Sequence, residues 1–239
     1  MIKSLLLDVR FWILVLFLIR LENIDLAPLD RHSYRQCLTL GVARSYLEVD
    51  DNIFQPRTIL CDSRPGFEVM EFPLLNYAIF LVWKIFGEHN WCFRLLGIVT
   101  ASIGLWHLNR ILLRLVDART ALAGTVLFGT SIAFLYARKA MPDVFSLSLV
   151  LIGVNLGWTY LEKGKWWQLL LFTIITAGGL LSKIPSASAV ALLALPVFFD
   201  RSIELKRKLW LTAGGIVAVA AMSAWYFVWI PWAEIEYQH

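Results

Sequence analysis

Ionisable side chains that could carry chemistry are concentrated on one side of the predicted membrane, where apolar segments end. A charge at the centre of a membrane helix costs about 2.5–3.5 kcal/mol on insertion scales, so ionisable residues gathered at the ends of spans mark a candidate site. Carboxylates in such a set can accept protons, and Arg or Lys can bind an anion. The set comprises Asp30, Arg31, His32, Arg35, Arg57, Glu68, Glu71, Arg138, Lys139, Asp143 and Lys183.

The composition explains why these residues need a membrane to position them. Of the 239 residues, 59% are hydrophobic and 17% are charged, whereas soluble proteins are about 45–50% apolar and about 25% charged. The mean hydropathy is +0.65. These values predict a membrane protein or a fragment of one and exclude disordered, collagen-like, coiled-coil and disulfide-scaffold classes. The three cysteines lack metal-ligand spacing, and no nucleic-acid motif appears, so we expect no nucleic acid partner.

Seven apolar segments are candidates for membrane spans. They cover residues 11–19, 91–108, 121–137, 144–161, 166–182, 184–199 and 209–229. Most approach the ~20 residues that cross a bilayer, and the first reaches that length only with its flanking leucines, as an uncleaved anchor. Segment 72–86 is shorter, begins near Pro73 and carries Lys84, which favours an interfacial or re-entrant element. We therefore predict an all-α polytopic membrane protein, a single domain of residues 1–239 with about seven transmembrane helices.

The distribution of Lys and Arg predicts the orientation. If segment 72–86 does not cross and the amino terminus, with Lys3 and Arg10, is cytoplasmic, every strongly basic loop falls on the cytoplasmic side, where cationic loops are retained. If segment 72–86 does cross, all of these loops fall outside. The loops contain Arg110, Arg114, Arg119, Lys163, Lys165, Arg201, Lys206, Arg207 and Lys208. Residues 22–90 then form the first extracytoplasmic loop.

This loop is predicted to contain a surface helix. Ser33 and Gln36 have the spacing of a capping box, and apolar residues recur every fourth position from Tyr34 through Tyr46. The pattern predicts an amphipathic helix over residues 34–48 that lies along the membrane surface. Turn-forming residues follow at 50–52, at Pro56 and at 63–66.

The order of several short motifs resembles that of a known family. The segments are Asp30-Arg31-His32-Ser33-Tyr34-Arg35-Gln36, Thr39, Ala43-Arg44, Glu71-Phe72-Pro73-Leu74, Phe86-Gly87, Arg94, Ala137-Arg138, Pro142-Asp143, Gly179 and Ser182-Lys183. In series they resemble the GT-C glycosyltransferases of the protein O-mannosyltransferase and aminoarabinose-transferase type. The resemblance implies a plasma (inner) membrane enzyme that transfers a sugar, with inversion, from a polyprenyl-phosphate donor to a lipid, glycan or protein acceptor on the extracytoplasmic face, in contact with membrane lipids.

The resemblance also assigns roles to individual residues. Asp30 is the expected catalytic base, the alternative being a turn residue that helps to cap the helix after it. Arg138 and Lys183 are expected to bind the departing phosphate, or else to snorkel at the interface. Arg35 and Arg57 are further phosphate candidates. Asp143 and Glu71 are expected to position donor or acceptor. Glu71 is in addition a candidate ligand for a divalent metal or a charge that favours a helix amino terminus; no other cofactor is indicated.

The sequence departs from the family pattern in ways that support a second hypothesis. Arg31 follows Asp30 where mannosyltransferases have adjacent Asp and Glu, and Leu38 occupies a position where many relatives carry an acid. Relatives also continue well beyond the point that corresponds to His239, so the carboxy-terminal part of the family is expected to be missing. The alternative is a non-catalytic or truncated GT-C-fold membrane subunit that acts with a partner chain.

Overall fold

The computed structural model describes residues 6–58 and 66–238, and in these residues the secondary structure is helical except for one isolated antiparallel bridge between Arg57 and Phe67. The nine longer α-helices in the described residues are α1 (Val9–Arg20), α2 (Ser33–Glu48), α3 (Leu74–Phe86), α4 (Asn90–Leu112), α5 (Ala118–Thr130), α6 (Pro142–Lys163), α7 (Trp166–Ser182), α8 (Leu205–Ala224) and α9 (Ile230–Gln238). Lys3 and most of the predicted turn at 63–66 lie outside the described residues. The predicted all-α membrane class is confirmed.

The predicted count of seven spans is not confirmed. In the described part of the chain, three helices are long and apolar enough to cross a membrane: Asn90–Leu112, Pro142–Lys163 and Leu205–Tyr237. Helix α1 has 12 residues and extends only about 18 Å, against a hydrocarbon core of about 30 Å. Helix α3, at 13 residues, extends about 20 Å, so it too is shorter than the hydrocarbon core.

Two predicted spans are interrupted at identifiable residues. Segment 121–137 breaks at Ser131, whose backbone is extended (φ −63°, ψ 155°), and continues as short turns at Ile132–Leu135 and Tyr136–Arg138. The segment after α7 forms a 3₁₀ helix, Ile184–Leu193, and then a π-helical turn, Leu195–Phe199. Each of these two elements has a proline among its first two residues, and proline lacks the N–H that a regular helix would use.

Helix α6 is the central element, because small residues let its neighbours approach closely. A Cβ added at Gly104 of α4 would lie 2.7 Å from the Cβ of Ser148 on α6. On the opposite side, a Cβ at Gly179 of α7 would lie 3.0 Å from the carbonyl oxygen of Ser146, and the Ser146 hydroxyl donates to the Gly179 carbonyl at 2.7 Å. Such small-residue contacts are typical of helix packing in membranes. They fix α6 between α4 and α7.

Helix α2 confirms the predicted helix in this segment, with a start one residue earlier than predicted; its place at the membrane surface stays a prediction. Val42 and Tyr46 are buried with Phe80 of α3, whereas Tyr34 is exposed, so the predicted apolar face is buried at all but its first position. The predicted capping box is wrong. The residue that precedes the helix is His32, with a left-handed backbone (φ 64°) and no side-chain cap. The Gln36 side chain instead reaches Asp30.

Candidate active site

Two arginines hold the backbone of the loop that leads to Asp30. The Arg138 guanidinium donates to the carbonyl of Glu22 and, at 3.2 Å, to that of Asn23. Buried Arg94, from α4, donates to the Leu26 carbonyl at 2.8 Å and to the carbonyl of Arg138 at 3.2 Å. Arg138, predicted to bind phosphate, therefore anchors the loop. Arg94 entered the sequence analysis only as a motif member, since no local pattern reveals that its partners are carbonyls far away in sequence.

Asp30 is held at both carboxylate oxygens. The Gln36 side-chain amide donates to Oδ1 at 2.7 Å, and the Lys139 ammonium lies 2.9 Å from Oδ2. The amide of Gln36 is itself fixed, because its oxygen accepts from the Ala140 backbone at 3.4 Å. We call Asp30, Gln36 and Lys139 the Asp30 cluster. The Asp30 side chain keeps 50% of its surface exposed, so a substrate can reach it.

The partners of Asp30 decide its ionisation. Partial burial raises the pKa of the carboxyl, but the hydrogen bond from Gln36 and the nearby Lys139 outweigh burial and hold the pKa below its usual value. The more distant guanidinium of Arg94 acts in the same direction. Asp30 is therefore a carboxylate at neutral pH, which is the state that can accept a proton or a hydrogen bond.

A second group forms around Glu71, just before α3. Its carboxylate accepts a hydrogen bond from the Arg35 guanidinium and lies 3.5 Å from the Lys183 ammonium. We call Glu71, Arg35 and Lys183 the Glu71 cluster. Burial raises the pKa of Glu71, but Arg35 and then Lys183 outweigh it and lower the pKa. With one carboxylate between two cations, the cluster carries a net positive charge.

Glu68, for which the sequence predicted no specific role, adds a carboxyl near this cluster. It is partly buried, and burial raises its pKa. Arg35 opposes this effect and Glu71 reinforces it. Its position follows from the backbone, because its amide donates to the Pro56 carbonyl at 2.8 Å. Glu68 therefore holds a proton to higher pH than an ordinary carboxyl.

Helix α2 joins the two clusters. Arg35 and Gln36 are consecutive residues in its first turn, and one reaches Glu71 while the other reaches Asp30. The amino-terminal end of a helix carries a partial positive charge and favours a nearby anion. A carboxylate and a cation pair are thereby placed at the same end of a single helix.

Besides Arg138, two predicted site residues belong to neither cluster. Asp143 is exposed in the first turn of α6 and lines, with His32 and Tyr136, a pocket of about 270 Å³. Arg57 lies in the bridge to Phe67 and donates to the Gln55 side chain at 3.4 Å. Asp143 is thus near the Asp30 loop through His32, whereas Arg57 lies with the segment that contacts the carboxy-terminal helix.

The metal hypothesis for Glu71 does not fit the residues present. Within residues 6–58 and 66–238, no group of three or more His, Cys, Asp or Glu side chains could hold a metal ion. The Glu71 carboxylate is also engaged by Arg35 and Lys183, and two cations at the same carboxylate oppose a divalent ion by like-charge repulsion.

An apolar cavity of about 690 Å³ lies near the Glu71 cluster. It is formed by α7, the 3₁₀ segment after it and α8, and its wall includes Leu180, Ala187, Val190 and Ile216. Leu180 and Ala187 are close in sequence to Lys183, on either side of it. The lining itself is almost entirely apolar, which suits a hydrocarbon chain.

The state of Glu71 gives a prediction about acid stability. Because its pKa is lowered on folding, its contribution to stability is present above the unfolded-state pKa of about 4.3 and is lost as pH falls through the folded-state pKa. Wild-type protein should therefore lose more stability between neutral and acid pH than Glu71→Gln, which has nothing to titrate. Thermal midpoints in nanodiscs across this range measure the difference. Parallel curves for the two proteins would contradict the assignment, and Glu88→Gln, at an exposed ion pair with Arg44, is the matched control.

Together, the helical membrane fold and the two charged clusters define a class of protein: an all-α membrane protein with a carboxylate and cations at the ends of its helices. The chain belongs to the dolichyl-phosphate-mannose-protein mannosyltransferase family, whose model matches residues 64–227. This is a family of membrane glycosyltransferases that use a polyprenyl-phosphate sugar donor. Comparison with curated proteins and with solved structures gave no significant match.

The family match divides the predicted site. Glu71, Arg138, Asp143 and Lys183 lie inside the matched residues, whereas Asp30, Arg35 and Arg57 precede them. The suggested role of Asp30 therefore depends on its own geometry and on the motif resemblance.

Proposed function

We propose that the protein is an inverting glycosyltransferase that moves a sugar from a polyprenyl-phosphate donor to a lipid, glycan or protein acceptor at the extracytoplasmic face of the plasma membrane. The observation that carries this proposal is that the first turn of α2 connects two groups of opposite character. Gln36 of this turn holds the exposed, ionised Asp30, and Arg35 of the same turn contacts Glu71, beside which Lys183 lies. Membership of the mannosyltransferase family supports the type of donor.

The donor would bind with its phosphate at the Glu71 cluster and its polyprenyl chain in the apolar cavity. Arg35 offers a planar fork for phosphate oxygens and Lys183 a point charge. The cavity wall includes Leu180, Ala187 and Val190, which lie on either side of Lys183 in sequence, and each CH₂ of the chain that is buried there would contribute about 0.8 kcal/mol. Arg138 adds positive potential while it anchors the Asp30 loop. Asp143 would then position the sugar or the acceptor beside His32.

The transfer itself needs one proton acceptor and one stabilised leaving group. An acceptor oxygen attacks the anomeric carbon on the face opposite the phosphate and forms the new C–O bond. The bond between the anomeric carbon and the phosphate oxygen breaks, and its electron pair leaves with the polyprenyl phosphate, whose charge Lys183 and Arg35 stabilise. The acceptor proton passes to Asp30, so that charge and atoms balance.

The proposed topology has both clusters at the extracytoplasmic face of the membrane. A cytoplasmic amino terminus retains the basic loops inside. The short helices α1, α5 and α7 and the segment 184–199 would cross or enter the membrane together with the three long helices, because packing against α4 and α6 shields part of their ends. Cysteine accessibility at Tyr34→Cys and Lys165→Cys, in intact and in opened cells, measures this arrangement.

Lys183→Met should weaken donor binding by about 10- to 100-fold, because a charge-assisted hydrogen bond contributes about 1.5–3 kcal/mol. The measurement is the thermal midpoint of the protein in nanodiscs during titration with undecaprenyl phosphate, since a ligand that binds the folded state raises the midpoint by mass action. Lys84→Met, which removes an equally flexible but exposed lysine, is the matched control.

Equal shifts in wild type and Lys183→Met would contradict the proposed phosphate site. A shift in wild type without sugar transfer in any acceptor assay would instead favour the second hypothesis, a non-catalytic subunit that binds the carrier lipid and requires a partner chain.

A further inference from the structure

We infer that Lys139 is a positioning residue for sugar transfer, whose ammonium group fixes the Asp30 carboxylate at Oδ2 and so sets the direction in which Asp30 meets the acceptor. This inference rests on the proposed function, in which Asp30 is the base. In the sequence, Lys139 is one of several cations beside the membrane, and no local pattern gives it a role.

The surroundings of Lys139 are those of a fixed group rather than of a lysine that extends into water. Its side chain is only 10% exposed. The ammonium donates to the Arg31 carbonyl at 2.7 Å, lies 2.9 Å from the Asp30 carboxylate and sits 4.7 Å from the centre of the Tyr136 ring. An interfacial lysine that snorkels would extend its charge to solvent instead. All three contacts direct the charge of Lys139 inward to the Asp30 loop.

The two holders of Asp30 act on different oxygens. Gln36 occupies one lone-pair direction of Oδ1, and Lys139 occupies one lone-pair direction of Oδ2. An ionised carboxylate offers about four lone-pair directions, so free directions remain for the acceptor. Because both holders are themselves anchored, Gln36 to the Ala140 backbone and Lys139 to Arg31, the carboxylate is restrained against rotation.

The position of Lys139 in the chain makes this restraint long-range. Lys139 follows the 3₁₀ turn Tyr136–Arg138, which begins after the break at Ser131. Its backbone is extended (φ −98°, ψ 149°), so the side chain leaves the helical path toward the Asp30 loop. The extended backbone after the interrupted span 121–137 therefore directs Lys139 to the site.

A lowered base strength is compatible with this role. When the new bond forms, the acceptor oxygen becomes an oxonium, which is far more acidic than the original hydroxyl. A carboxylate with a pKa below the usual range can still accept that proton, while it remains ionised before the reaction. The charged groups that face Asp30 are Lys139 and, farther away, Arg94. The other titratable residues on its own loop are Glu22, Asp25, Arg31 and His32.

The test compares Lys139→Met with Lys139→Arg and with Arg31→Met, which removes a charge next to Asp30 in sequence from an exposed position. The first readout is carbodiimide labelling of Asp30 followed by mass spectrometry across pH, because the reagent modifies protonated carboxyls. The second is the pH dependence of sugar transfer from undecaprenyl-phosphate mannose, with kcat and donor KM separated.

We expect Lys139→Met to extend Asp30 labelling to higher pH, to move the acid limb of the kcat profile in the same direction, and to lower kcat by about 10- to 100-fold with donor KM unchanged, since a misplacement of about 1 Å can cost 10²-fold. Lys139→Arg should restore the wild-type labelling and part of kcat, and Arg31→Met should leave both readouts near wild type.

The outcomes distinguish the positioning role of Lys139 from the role of Asp30 as the base. Unchanged labelling in Lys139→Met, in a protein that Asp30→Asn inactivates, would overturn the role of Lys139 and leave the proposed function intact. Shifted labelling with unchanged transfer in both Lys139→Met and Asp30→Asn would overturn the positioning role together with the proposal that Asp30 is the base.

Discussion

Asp30→Asn is expected to lower sugar transfer by about 10²- to 10⁴-fold, the contribution of a positioned general base. The substitution keeps the size of the side chain and an oxygen for the bond from Gln36, but it removes the charge that accepts the acceptor proton. Donor binding should change little, because the proposed phosphate site is formed by Arg35 and Lys183 at the other cluster. The measurement is the rate of transfer from undecaprenyl-phosphate mannose under saturating donor.

The control for this variant is Asp25→Asn, an exposed carboxylate in the same loop. It should leave the rate near that of the wild type. Asp30→Asn leaves Lys139 without its carboxylate partner, which could lower the stability of the fold. A thermal midpoint close to that of the wild type would show that the loss of transfer is catalytic. Retention of wild-type transfer by Asp30→Asn would remove Asp30 from the mechanism and require another base, for which Glu68, with its raised pKa, is the next to test.

Gly97→Ala should give the largest loss of stability among single methyl additions to α4. The new Cβ would overlap the carbonyl oxygen of Ala137, a backbone atom that cannot rotate away. Overpacking of this kind costs about 1–3 kcal/mol or more, and it outweighs the gain of up to ~1 kcal/mol from replacing glycine in a helix. For a chain of this size each kcal/mol corresponds to about 2–4 °C in thermal midpoint.

Gly97→Ala should also lower sugar transfer, because the displaced turn carries Arg138 and Lys139. The matched control is Gly41→Ala in α2, where the nearest atom to the new Cβ, the Thr58 hydroxyl oxygen, would be 3.9 Å away. There the helix propensity gain should dominate, and the thermal midpoint should stay constant or rise. A midpoint for Gly97→Ala equal to that of the wild type would contradict the close packing of α4 against the Tyr136–Arg138 turn.

Much of what the sequence predicts here depends on composition and on local periodicity. The apolar content predicted an all-α membrane protein, and the four-residue repeat from Tyr34 to Tyr46 predicted α2 to within one residue. Motif order indicated the glycosyltransferase family that the family model confirms. The apolar segments and α2 are determined by the sequence because each depends on residues near one another along the chain, where helix geometry alone decides which side chains share a face. The motif order extends over most of the chain, but it is a property of the sequence and needs no tertiary contact.

Tertiary structure decided which charges meet. The partner of Asp30 at Oδ2 is Lys139, and Glu71 lies between Arg35 and Lys183, pairs separated by dozens of residues that no local spacing relates. Arg138 donates to the loop carbonyls of Glu22 and Asn23, contacts that no local spacing indicates, and its phosphate role stays a prediction. The break at Ser131 and the proline-bearing 3₁₀ segment likewise depend on packing against α4 and α6, and close packing of small residues allows such irregular backbone where an isolated helix would not.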